Sequence, residues 1–308
     1  MFFKKKIDAP QKYNGLYASL EELIEQKKYL PYINQRHNSI TTDKVGNIRS
    51  AFKGRGMEFE EVRLYGFGDD VRDIDWRVTA RLGDTYTKVF AEEKDREVYV
   101  VLDLSPYMIF GTKKELKSVS ASKLAALLGW QCLANKDRFG LVLYDGKKIS
   151  IYKSQSNQKN LMAILKAISK TSKSILETTD VSTYNLKDPL QYLQYNLKSK
   201  AMVFIISDFK NITDETLKSL AALTKRNRVY CLNVFDYIEE VPPLSGEYLA
   251  EYNGQKLAFN TAPLAFKDAY FQYFAEKRKN MENFCKRFEC QYINLRTDKP
   301  LHKQLKIL

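Results

Sequence analysis

Asp103 and Ser105 stand two residues apart at the carboxyl end of an apolar, β-branched run, Val98-Tyr99-Val100-Val101-Leu102. A second such run, ending Val203-Phe204-Ile205-Ile206, delivers Ser207 and Asp208. Carboxylates and small hydroxyls are hard oxygen donors, so this set could ring a magnesium ion or exchange hydrogen bonds with a docked protein. The spacing continues to Tyr107, whose phenol is bulky and stays protonated at neutral pH, which makes it a poor metal ligand. A lone strand-end aspartate often does no more than accept amides of its own loop. The second run weighs against that reading for Asp103, because two parallel strands would present carboxylates at one sheet edge.

Another cluster mixes Asp69, Asp70, Asp73 and Asp75 with Arg72, Arg77 and Arg81 around Trp76. Paired carboxylates can hold two magnesium ions for hydrolysis. Interleaved arginines would neutralise them through charge-assisted contacts, so we expect a structural network with Trp76 buried in it. His37 and His302 have no nucleophile in local context, and no glycine-rich phosphate loop follows a predicted strand, which removes the usual hydrolase and nucleotide chemistries. Cys132, Cys231, Cys285 and Cys290 form no C-x-x-C pair, and with two histidines no zinc site is expected. Cys132 and Cys231 fall in apolar helix and strand patterns and read as small packed hydrophobes.

Continuous apolar runs, rather than alternating ones, indicate strands buried on both faces of a parallel sheet, with ligand sites where the strands end. From residue 95 such strands alternate with helical patterns: strands 97–103, 138–144, 148–152, 201–206, 228–235 and 291–295, and helices 116–135, 158–170, 189–196, 214–225 and 265–288. This order predicts a doubly wound α/β sheet. Asn253-Gly254 marks a two-residue hairpin inserted before the last helix. Ser19-Leu-Glu-Glu22 is a capping box opening a helix to about Tyr29, and residues 46–93 read as strand-rich. The expected boundary therefore separates an N-terminal module, 1–94, from an α/β domain, 95–308.

The chain has 308 residues and a net charge of +13. Residues 1–94 contribute +2 and residues 95–308 contribute +11. The excess lysines are single or in short pairs without interleaved aromatics, which reads as solvated surface rather than a nucleic-acid footprint. No apolar run approaches a membrane span, and Met1-Phe-Phe-Lys-Lys-Lys6 is not followed by a secretory apolar stretch, so a cytoplasmic protein is expected.

The segment Gly54-Arg-Gly-Met-Glu58-Phe59 through Arg63, Tyr65, Gly68-Asp69-Asp70, Arg72 and Ile74-Asp75-Trp76 to Arg81 resembles the signature of the bacterial DUF58 family. With Asp103/Ser105 and Ile206-Ser207-Asp208-Phe209 the likeness runs from about Gly46 to Phe209. It implies a von Willebrand factor A-like, Rossmann-like doubly wound domain preceded by a small strand-rich module. It further implies a metal-ion-dependent adhesion site in which Asp103, Ser105 and Asp208 are the surviving candidates for Mg2+. The family pattern places a threonine ligand where this chain has Thr183-Tyr184-Asn185, so Tyr107 and Tyr184 both replace hydroxyl ligands. We expect no tightly held cation, the two phenols instead hydrogen-bonding Asp103 and Asp208.

The resemblance also implies a partner, a MoxR-type AAA+ ATPase or its client proteins. The expected function is a non-enzymatic adaptor gripping that partner through Asp103, Ser105, Tyr107, Thr183, Tyr184, Asn185 and Asp208. The rival readings are a nucleic-acid-binding protein using the basic C-terminal domain, recognisable by steep salt dependence, and a magnesium-dependent hydrolase.

Overall fold

The computed structural model describes residues 15–32, 57–92, 96–177, 185–197, 200–210, 212–252 and 255–305. Two compact units emerge, one of residues 42–95 and the other of 1–41 with 96–308. The boundary expected at residue 94 lies within one residue of the observed one, but the N-terminal helix belongs to the α/β unit, and the strand-rich unit begins after it.

The smaller unit is an antiparallel pair, β1 (Met57–Leu64) and β2 (Tyr86–Glu92), with a bulge between Phe59 and Glu61. In the larger unit, helix α1 (Leu20–Glu25) opens on the capping box, Ser19 Oγ accepting from the Glu22 amide at 3.2 Å while Glu22 accepts from the Ser19 amide at 3.0 Å. Between β1 and β2 lies helix α2 (Trp76–Leu82), closed by Gly83 at φ 90°, a left-handed position that glycine adopts without strain.

Among the described residues, the acidic cluster's carboxylates bond mainly to their own turns rather than to Arg72, Arg77 and Arg81. Its carboxylates serve the local backbone: Asp69 accepts from Arg63 at 2.5 Å and the Gly66 amide at 2.8 Å, Asp70 caps the turn Val71–Asp73, and Asp75 caps α2 through the Arg77 and Val78 amides. Those amides hold the Asp69 and Asp75 carboxyls below their ordinary pKa. Arg72, Arg77 and Arg81 are exposed, and Trp76 is 67% exposed rather than buried.

The α/β unit continues through β3 (Glu97–Asp103), α3 (Lys117–Ala134), β4 (Arg138–Tyr144), β5 (Ile149–Gln155), α4 (Gln158–Ser174), α5 (Lys187–Asn196), β6 (Met202–Ser207), α6 (Asp214–Thr224) and β7 (Arg228–Phe235). The hairpin β8 (Glu247–Tyr252) and β9 (Gln255–Asn260), helix α7 (Leu264–Arg287), strand β10 (Gln291–Arg296) and the short α8 (Leu301–Gln304) complete it. Asn253-Gly254, the turn expected in that hairpin, lies outside the described residues.

Six strands form one sheet in the order β10-β7-β6-β3-β4-β5, all parallel except the antiparallel edge β5. This is the doubly wound α/β arrangement expected. The strand β3 lies centrally and is apolar on both faces for that reason: Val98, Val100 and Leu102 enter one buried layer, Tyr99 and Val101 the other. The first layer also holds α3, buried almost all round, and α1, whose Leu23 carbonyl accepts from Trp130 Nε1 at 3.0 Å. From β3 the chain winds outward through β4 and β5, then returns to β6 on the other side, so the sheet's switch point falls between β3 and β6.

Because Asp75 caps α2 while Arg72 and Arg81 point to solvent, Asp75→Ala should lower the melting temperature. Arg72→Ala and Arg81→Ala should leave it unchanged in the same thermal denaturation series, where a network would lose stability with any of the three.

Candidate functional site

The switch point brings the sequence-predicted carboxylates together. Asp103 ends β3 and Asp208 follows β6; with Ser105, Tyr107, Ser207, Tyr144 and Leu186 they line one small cavity of about 10 Å³. Both Asp103 oxygens are engaged: Oδ1 accepts from the Ser105 amide at 2.9 Å and Oδ2 from Ser207 Oγ at 2.7 Å. Burial, set against those bonds and joined by the neighbouring Asp208 charge, pushes the Asp103 pKa up to about 6. Past Asp208 the backbone turns through Phe209 at φ 51°, a left-handed conformation costly for an aromatic residue. The Phe209 amide donates to Ser207 Oγ at 3.2 Å and the Lys210 amide to Asp208 Oδ1 at 3.1 Å, which hold the turn.

A residue absent from the sequence-based set completes the site. Lys117, the first residue of α3, is 0% exposed, and its Nζ donates to Asp208 Oδ2. The same ammonium lies 3.4 Å from Glu239 Oε1, which also pairs with Lys210. Glu239 belongs to the turn after β7, capped by Asp236, whose buried carboxylate gathers the Thr112 amide and hydroxyl, the Ile238 amide and Thr297 Oγ1. Burial opposes charge on Lys117, but Asp208 and Glu239 outweigh it and hold the ammonium's pKa above its ordinary value. A lysine at a helix start reads in sequence as solvated surface; only the three-element convergence reveals it.

Of the two tyrosines expected to bond the carboxylates, the described one, Tyr107, lines the cavity. Asp103 and Asp208 take no bond from Tyr107 among the described residues; their partners are Ser105, Ser207, Lys117 and the Lys210 amide. Tyr107 packs beside Tyr144 and Leu186. The Asn185 amide donates to the Tyr144 hydroxyl at 3.1 Å, while Asn185 Oδ1 accepts from the Lys187 amide and Thr216 Oγ1. Thr183 and Tyr184 lie outside the described residues.

Among the described residues, the donors do not fit magnesium. Mg2+ requires six oxygens at short octahedral distances and keeps several waters, whereas this cavity has room for about one water. Asp208 is already neutralised by an ammonium, and Asp103 spends both oxygens on protein donors.

Beside the ion pair, on the α7 side, a groove of about 140 Å³ opens between the ends of β6, β7 and β10. Phe209, Phe235 and Tyr273 supply aromatic walls, and Lys210, Lys277 and Arg278 supply cations. Lys277 Nζ sits 4.7 Å above the Tyr273 ring and Arg278 Cζ 5.4 Å from the Phe235 ring. Among the described residues neither Lys277 nor Arg278 pairs with a carboxylate.

Comparison with known proteins places this chain among others. The family "Protein of unknown function DUF58" matches residues 61–280. "Uncharacterized protein Rv1480" of Mycobacterium tuberculosis and "Uncharacterized protein Mb1516" of Mycobacterium bovis are each 25% identical over 256 residues, spanning 82% of this chain and 79% of theirs. Among solved structures, the conserved hypothetical protein BatB from Bacteroides thetaiotaomicron aligns with TM-score 0.43 and 15% identity, covering 68% of this chain and 95% of its own. An aerotolerance-related membrane protein from Bacteroides fragilis aligns with TM-score 0.42 and 14% identity over the same shares.

Two measurements test this electrostatic arrangement. Lys117→Met strands Asp208 and Glu239 without their shared cation and should cost about 3–5 kcal/mol in denaturant unfolding. The Asp103 carboxyl is raised in the folded state, so its contribution is complete below about pH 4 and is lost as pH rises through about 6, amounting to about 3 kcal/mol. Isosteric Asp103→Asn should flatten the stability profile across that window, as read by chemical denaturation at successive pH values.

Proposed function

The chain belongs to the DUF58 family, and from that premise we propose that it is a non-catalytic docking protein whose sheet edge grips its partner without a metal ion. The observation that carries this reading is Lys117. In an adhesion site of the intact kind, a divalent cation bridges the protein to a carboxylate of the partner. Here an ammonium from the protein's own central helix is paired with Asp208 and Glu239, so a partner carboxylate has no open coordination position to complete.

Recognition then falls to the adjoining groove. Its uncompensated Lys277 and Arg278, set among aromatic rings, suit an acidic segment carrying apolar side chains. The family resemblance read from the signature segment supplies the partner: a MoxR-type AAA+ ATPase or a client of it, with ATP turnover belonging to the ATPase. The non-catalytic reading is supported by the engagement of both Asp103 oxygens and of Asp208 by protein donors.

Capture of the MoxR-type ATPase from the same genome on immobilised protein tests both halves. Binding should be unchanged by chelator, fall as salt rises, and drop at least about tenfold in a Lys277→Glu/Arg278→Glu double variant. Release by chelator with recovery on adding magnesium would return the site to the cation-dependent class; full binding by the charge-reversed variant would move the interface off the groove.

A further inference from the structure

Three of the four cysteines converge. Cys231 lies on β7, Cys285 in the last turn of α7, and Cys290 just before β10, yet their sulfur atoms all lie within 4.8 Å of one another. The chain is turned to bring this about: Glu289 takes φ 56° and the Cys290 amide donates to the Cys285 carbonyl at 2.9 Å, which folds Cys290 back onto the helix end. Their exposures are 0%, 1% and 7%.

A fourth soft donor stands nearby. Met281, one helical turn before Cys285 and so on the same face of α7, packs in the same apolar cluster as the three cysteines. Tyr292 sits beside Cys231 in the β10–β7 register, and Met281 and Tyr292 also line the groove that opens to solvent past Lys277 and Arg278. Two neighbours of the sulfur cluster thus line the groove that carries Lys277 and Arg278.

We infer that Cys231, Cys285 and Cys290 form a buried three-sulfur site for a soft monovalent metal ion, copper(I), reached through the groove beside Met281 and Tyr292. Thiolate and thioether sulfur select this ion, and three sulfurs without histidine or carboxylate suit its low coordination number. Each thiol that ligates releases its proton to solvent, and the anionic complex left behind is offset by Arg278 and Lys277. Cys132 lies in the other buried layer and takes no part.

Anaerobic titration of the full-length protein with copper(I) against a chromophoric copper(I) chelator tests this. The expected result is one equivalent bound, a thiolate-to-metal ultraviolet absorption, and a higher melting temperature. Cys285→Ser and Cys290→Ser should abolish stoichiometric capture, Met281→Leu should weaken it about tenfold, and Cys132→Ser should leave it intact. Failure of the wild-type protein to take up one equivalent overturns the proposal, whatever the variants do. So does full uptake by a Cys285→Ser/Cys290→Ser double variant that keeps its circular dichroism spectrum, or stoichiometric capture of zinc(II) in preference to copper(I).

Discussion

The ion pair between Lys117 and the carboxylates of Asp208 and Glu239 constrains everything around it. Taking an ammonium fully out of water is expensive unless fixed opposite charges meet it, and here they come from two different strand ends. Lys117 also begins α3, the helix buried on nearly every side in the centre of the larger layer. The charge at its first residue and the apolar packing along its length must therefore be satisfied by one placement of that helix. Asp236 extends the arrangement by capping the turn that carries Glu239 and by gathering Thr112 and Thr297 from separate segments.

This constraint also separates the site from one built around a bound metal ion. A divalent ion is exchangeable and leaves a position open for a partner; a lysine is covalently part of the chain and offers three donors but no vacancy. The change does not dissolve the site. Asp103 remains buried with both oxygens bonded, Asp208 still precedes a left-handed Phe209, and the strand ends still form one edge. What shifts is the place where unmatched charge remains: it lies in the aromatic groove with Lys277 and Arg278. The sulfur cluster lies behind that groove, sharing Met281 and Tyr292 with its lining.

The sequence by itself determined the elements and their order. Continuous apolar runs named the doubly buried strands, the capping box at Ser19 named a helix start, and strand-end position marked Asp103 and Asp208, because these signals are local and depend on nearest neighbours along the chain. The signature segment placed the family on the same footing. Local signals also misled where burial was inferred from residue type alone: Trp76 is exposed, and Asp70 and Asp75 beside it cap their own turns. The grouping of the N-terminal helix with the strand-rich module failed for the opposite reason, since nothing local says that Leu23 meets Trp130.

Only the tertiary structure decided which groups meet. Lys117 reads as one surface lysine among many until the switch point sets its helix beside the ends of β6 and β7. Cys231, Cys285 and Cys290 show no ligand spacing, and it takes the parallel β7–β10 pairing and the reversal at Glu289 to bring their sulfurs together. The reason is physical: periodicity and capping are short-range properties of the backbone, whereas a buried charge or a thiol cluster exists only once distant segments have excluded water from the same volume.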